Sequence, residues 1–164
     1  MLTSIANYKG DLIDAESFFI SSIRTAETIE LKQRAYILLA QLYKSIGNEE
    51  AIDKEINLLK QAESELSIIN PLFILEMQGD AYARKARFIE SNKIEYYHKA
   101  LMKFESLYNN GYTTFNIMQN IAIIYQEMND FYQAKSMLGA MLEKYPGNYL
   151  DTTIIFDRVE QIRN

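Results

Sequence analysis

Few side chains in this sequence are equipped for catalysis, and none is well placed for it. His98 is the only histidine, and there is no cysteine. A general base needs a positioned partner and a substrate pocket, and a zinc site needs further His or Cys ligands. His98 instead sits between Tyr97 and Lys99 on a helical pattern, so it reads as a packing or surface residue. Asp14 with Glu16, Glu49 with Glu50, and Asp157 with Glu160 are the carboxylate pairs suited to acid–base or metal chemistry. Acids in helical stretches usually form solvated faces or complement the N-terminal dipole. No nucleophile elbow, phosphate loop, calcium loop or kinase signature occurs. The residues predict no catalytic site, no metal ligand and no cofactor, so the chain is not expected to be an enzyme.

Helices must position whatever else works here. The chain has 164 residues, 48% hydrophobic and 24% charged, which is an ordinary globular composition. Six Gly and two Pro leave little of the punctuation that sandwiches and barrels need. The net charge of −5 argues against nucleic acid, whose phosphates call for a basic face. The tightest basic cluster, Arg84, Lys85 and Arg87, suits a helix C-terminus. No stretch has the length and apolarity of a membrane span, and the first residues do not read as a signal peptide. A cytoplasmic, soluble, all-α protein is expected.

Apolar spacing predicts eight helices. The first runs from Asp11, capped after Gly10, to about Thr28, with a stripe of Leu12, Ala15, Phe18, Phe19 and Ile23. Glu30 to Ile46 follows, placing Leu31, Ala35, Leu38, Leu39, Leu42 and Tyr43 on one side and closing at Gly47. Asn48 caps a helix holding Ile52, Ile56, Leu59, Ala62 and Leu66, and Asn70-Pro71 starts one reaching about Ile89. Ser91-Asn92 begins a helix through Ile94, Tyr97, Phe104 and Leu107, broken at Asn109-Asn110-Gly111. Helices over 113–128 and 130–145 form the last clear hairpin, with Asp130 and Gln133 spaced as a capping box. Leu150 to Ile162 reads as a final helix.

Met118-x2-Ile121-Ala122-x2-Tyr125, followed by Ala134-x3-Leu138 and Pro146, resembles a tetratricopeptide repeat. Tyr36-x2-Leu39-Ala40-x2-Tyr43 with Ile52-x3-Ile56, and Leu75-x2-Gln78-Gly79-x2-Tyr82, resemble further units. The resemblance implies antiparallel helical hairpins stacked as a right-handed solenoid. A half unit would span 1–28, full units about 29–68, 70–109 and 113–148, and the final helix 150–162. Small residues such as Ala40, Gly79, Ala122 and Ala134 would let helices approach, and Tyr36, Tyr43, Tyr82, Tyr125, Met118 and Met141 would fill the core. The spacings from Tyr43 to Tyr82 and from Tyr82 to Tyr125, about 39 and about 43 residues, exceed the family period of about 34, which implies an irregular stack. The runs 35–43 and 111–128 also resemble repeat regions C-terminal to bacterial serine/threonine kinase domains. With the half unit at the front, that resemblance implies a piece of a larger signalling protein.

Repeats of this kind work through a concave wall. Helical spacing assigns Arg34, Ile37, Gln41 and Lys44 to the wall of one unit. Phe73, Glu76, Asp80 and Arg84 belong to the next, and Asn116, Gln119, Asn120, Ile123 and Glu127 to the last. Asn and Gln side chains both donate and accept along an extended backbone. The expected function is therefore a non-catalytic module that binds a protein or peptide segment. The alternatives are a structural spacer that self-associates as a homodimer through exposed solenoid ends, and a sensor of a signalling peptide or small molecule.

Overall fold

The computed structural model describes residues 2–66 and 71–148, with side chains over 11–66 and 72–147, and contains only helices there. They are α1 (Leu2–Thr25), α2 (Ile29–Ile46), α3 (Glu49–Glu65), α4 (Pro71–Phe88), α5 (Lys93–Asn109), α6 (Phe115–Glu127) and α7 (Phe131–Lys144). A 3-10 turn, Pro146–Asn148, follows α7. The helix expected over 150–162 lies outside the described residues.

Local chemistry explains most boundaries. Thr28, Asn48, Thr114 and Asp130 each accept a hydrogen bond from a backbone amide three residues on, which satisfies a donor left open in the first turn. Gly47 ends α2 in the left-handed region, φ 69°, where a side chain would be strained. Asn48→Ala is expected to lower unfolding stability by about 1 kcal/mol, seen as a fall in denaturant midpoint, because its Oδ1 holds the Ala51 amide at 2.8 Å.

Two boundary expectations are corrected. Gly10 does not end a helix and Asp11 does not cap one, since α1 continues through both. One interior glycine costs about 1 kcal/mol, which a helix of this length, packed on its neighbour, absorbs. Asn92 precedes α5 with φ 63° and no side-chain cap bond, so that start rests on conformation rather than capping.

The chain divides into two compact units, Met1–Ile74 and Leu75–Asn164. In the first, α2 packs on both α1 and α3. Tyr36, Leu39, Ala40 and Tyr43 of α2 are buried, as are Ile52, Ile56, Leu59 and Ala62 of α3. In the second, α6 packs on α5 and on α7. Met118, Ala122, Leu138 and Met141 form a buried cluster there, against which Phe115, Ile123 and Tyr145 also lie. The Tyr145 hydroxyl donates to the Thr113 carbonyl at 2.7 Å and its ring meets Phe115 edge-on, which closes the base of that helix pair.

Phe18, Leu31, Leu38 and Ile94, expected on inward stripes, are exposed. Leu31 and Leu38 are seven residues apart and share a stripe with Arg34 and Gln41. At 100° per residue, the buried arc of α2 is too narrow to include them.

Candidate functional site

The tyrosines expected to fill grooves do more than pack. Tyr43 of α2 is buried and donates to Glu16 of α1 at 2.7 Å, and Lys54 of α3 reaches the same carboxylate oxygen at 3.4 Å. Tyr36 of α2 is buried beside Glu65 at the end of α3, whose carboxylate also holds Lys32 at 2.5 Å and Gln61 at 2.8 Å. In the second unit the Tyr97 hydroxyl donates to Glu127 at 3.3 Å, and that of Tyr125 donates to Glu105. Each phenol on one helix is thus set against a carboxylate on another.

Burial is the largest cause that raises these phenols, and the facing carboxylate adds to it. Tyr36, Tyr43 and Tyr97 are pushed above the ordinary tyrosine range, and Tyr125 is pushed up to about 12. Lys32, followed by Gln61, holds Glu65 below the ordinary carboxylate range. Phenols so raised are neutral at physiological pH; those of Tyr43, Tyr97 and Tyr125 serve as hydrogen-bond donors, whereas the buried Tyr36 hydroxyl makes no hydrogen bond among the described residues. These pairs are structural joints.

The carboxylates considered for chemistry find other employment. Glu16 accepts from Tyr43 and Lys54, Asp14 is exposed on α1, and Glu49 and Glu50 stand in the first turn of α3. Asp157 and Glu160 lie outside the described residues. His98 is exposed on α5. Among the described residues no three His, Asp or Glu side chains gather as a metal site, and no helix is long and apolar enough to cross a membrane.

The thirteen wall residues separate into two groups. Asp80 holds the Arg84 Nε at 3.0 Å within α4, Glu127 accepts from Tyr97 and lies 3.7 Å from Lys93, and Ile123 packs against the α6–α7 cluster. Lys44 also has a partner in the fold. The basic cluster beside them is no open patch, since Lys85 is buried. Arg34, Gln41, Phe73 and Asn116 are exposed, and Ile37, Glu76, Gln119 and Asn120 are half-buried. These eight have no side-chain hydrogen bond or ion pair among the described residues.

Sequence reasoning missed a concavity in the first unit, a pocket of about 380 Å³. Ile20, Ile23 and Arg24 of α1, Leu39 and Tyr43 of α2, and Lys54, Asn57, Leu58 and Gln61 of α3 line it. None of them is on the predicted wall. The periodic pattern assigned Leu39, Tyr43 and Ile23 to the core, and it carries no signal that two flanking helices stand apart over them. Comparison with protein families, with curated proteins and with solved structures finds no match to this chain.

Proposed function

We propose that the chain is a non-catalytic interaction module that docks protein or peptide segments, with one docking stripe on α2 in the first unit and another on α6 in the second. The resemblance to tetratricopeptide repeats supports this reading, together with the hairpin stacking in a right-handed solenoid that it implies. The runs 35–43 and 111–128 extend it to a cytoplasmic signalling protein of the bacterial serine/threonine kinase kind. One observation carries the proposal: Arg34, Gln41, Asn116, Gln119 and Asn120 remain accessible without a hydrogen-bonding partner among the described residues. The hydroxyls of Tyr43 and Tyr125 and the carboxylate of Glu127 on the same helices are, by contrast, used within the fold. Leu31 and Leu38, exposed on the stripe of Arg34 and Gln41, add apolar area of the kind that anchors a bound segment.

Selection of a randomised peptide display against the purified chain tests the proposal. Enriched peptides are expected to bind the wild type and to lose about tenfold in affinity, roughly 1.4 kcal/mol, with Gln41→Lys where they dock on α2 and with Asn120→Lys where they dock on α6. Both variants should keep the wild-type melting temperature. No enrichment, or equal binding by both variants, would refute the docking surface.

A further inference from the structure

We propose that the pocket of the first unit binds a small amphipathic carboxylic acid, its apolar body inside and its carboxylate at Arg24. The pocket stands apart from the docking stripes, so this inference does not rest on the function proposed above.

The geometry begins with the direction of the flanking helices. Glu16 of α1 meets Lys54 of α3, while Ile20, Ile23 and Arg24 share the pocket with Asn57, Leu58 and Gln61. Sequence number rises the same way on both sides, so α1 and α3 run in the same direction with α2 beneath them. The Glu16–Lys54 pair marks one end, and Arg24 lies about 12 Å further along, at a rise of about 1.5 Å per residue.

The interior is apolar. Leu39, Ile23 and the Tyr43 ring are buried in the fold, whereas Ile20 and Leu58 are only half-buried and leave apolar surface open to the cavity. The volume of about 380 Å³ falls within the range of pockets that enclose small ligands. Removing that surface from water favours an apolar occupant in proportion to the area covered.

The charge at the mouth selects the head group. Lys54 is shared between Glu16 at 3.4 Å and Glu50 at 3.5 Å, so its charge is already matched. Arg24 is exposed in the last turn of α1 and has no carboxylate upon it among the described residues. Its place at a helix C-terminus gives it a weak dipole complement and leaves the guanidinium fork free. Asn57 is likewise exposed without a side-chain hydrogen bond among the described residues and lines the pocket toward the Glu16–Lys54 end. A planar carboxylate fits a guanidinium in two parallel hydrogen bonds. Arg24 lies beyond about one Debye length from the acid at the far end, so Glu16 does little to cancel it. One unmatched cation at the rim of an open, mostly apolar groove calls for one negative charge on an apolar chain.

The test follows the methyl resonances of Ile20, Ile23, Leu39 and Leu58 while decanoate, and separately decanol, is titrated below its aggregation limit. Decanoate is expected to shift them saturably, and decanol to bind about tenfold more weakly. Arg24→Gln should weaken decanoate about tenfold, leave decanol unchanged and keep the melting temperature, because Arg24 is exposed. Absence of saturable shifts, equal binding of acid and alcohol, or wild-type affinity in Arg24→Gln would each overturn the proposal. Tighter binding of a short peptide ending in Ile-Leu with a free carboxylate would overturn the choice of a free acid.

Discussion

Gly79→Ala is expected to destabilise the second unit by about 1–2 kcal/mol, although alanine is the better helix former by about 1 kcal/mol. A Cβ built on Gly79 would lie 2.8 Å from Cζ, 2.9 Å from Cε2 and 3.0 Å from Cε1 of Phe104. That ring is wholly buried, so it has no solvent to retreat into. The two helices must separate or the ring must leave its rotamer, and both penalties are those of an overpacked core. Gly79→Leu should prevent stable folding of that unit. Gly79→Ala combined with Phe104→Leu should recover part of the loss, giving a coupling energy of about 1 kcal/mol or more in a double-mutant cycle. A rise in denaturant midpoint for Gly79→Ala alone would show that the helices have room to part.

Alkali should unfold this protein more readily than its helical content suggests. Tyr36, Tyr43, Tyr97 and Tyr125 all titrate above the ordinary phenol range in the folded chain. Their neutral forms therefore contribute stability that is fully present below the unfolded value of about 10 and is lost as pH rises through the folded values. Each unit of such a shift corresponds to about 1.4 kcal/mol, so ionising several joints together offsets a large part of a typical folding free energy. Circular dichroism should show a cooperative loss of helix between about pH 11 and pH 12, with tyrosinate absorbance rising over the same interval. Tyr125→Phe should reduce the steepness of that loss. Glu65, held low, acts in the opposite sense: its contribution is present above the unfolded carboxylate value and is lost as pH falls through the folded one. Folded protein that persists while every tyrosine ionises would disprove the role of the joints.

Helix positions were legible because they depend on neighbours a few residues away. Asn48, Asp130 and Gly47 mark termini through short-range geometry, and the structure uses each as expected. Gly79 was legible as a small residue at a close approach, and Phe104 supplies the reason. The exposed Leu31 and Leu38 were misread because periodicity gives the direction of a buried face, while its width depends on how many helices cover it. Tyr43 with Glu16 could not be paired from the sequence at all, since 27 residues separate them and any acid on the neighbouring helix would have served equally in a pattern.

By itself the sequence determined the helical class, the ends of most helices and the identity of many core residues, though not the exposure of Phe18, Leu31, Leu38 and Ile94. Caps, turn glycines and apolar spacing act over one or two turns, where the chain's own order dictates who meets whom. Tertiary structure alone decided which carboxylate receives each phenol, which wall residues are spent on internal bonds, and that α1 and α3 leave a pocket above α2. Those outcomes follow from how separate helices pack side by side, a relation between distant residues that no local spacing encodes.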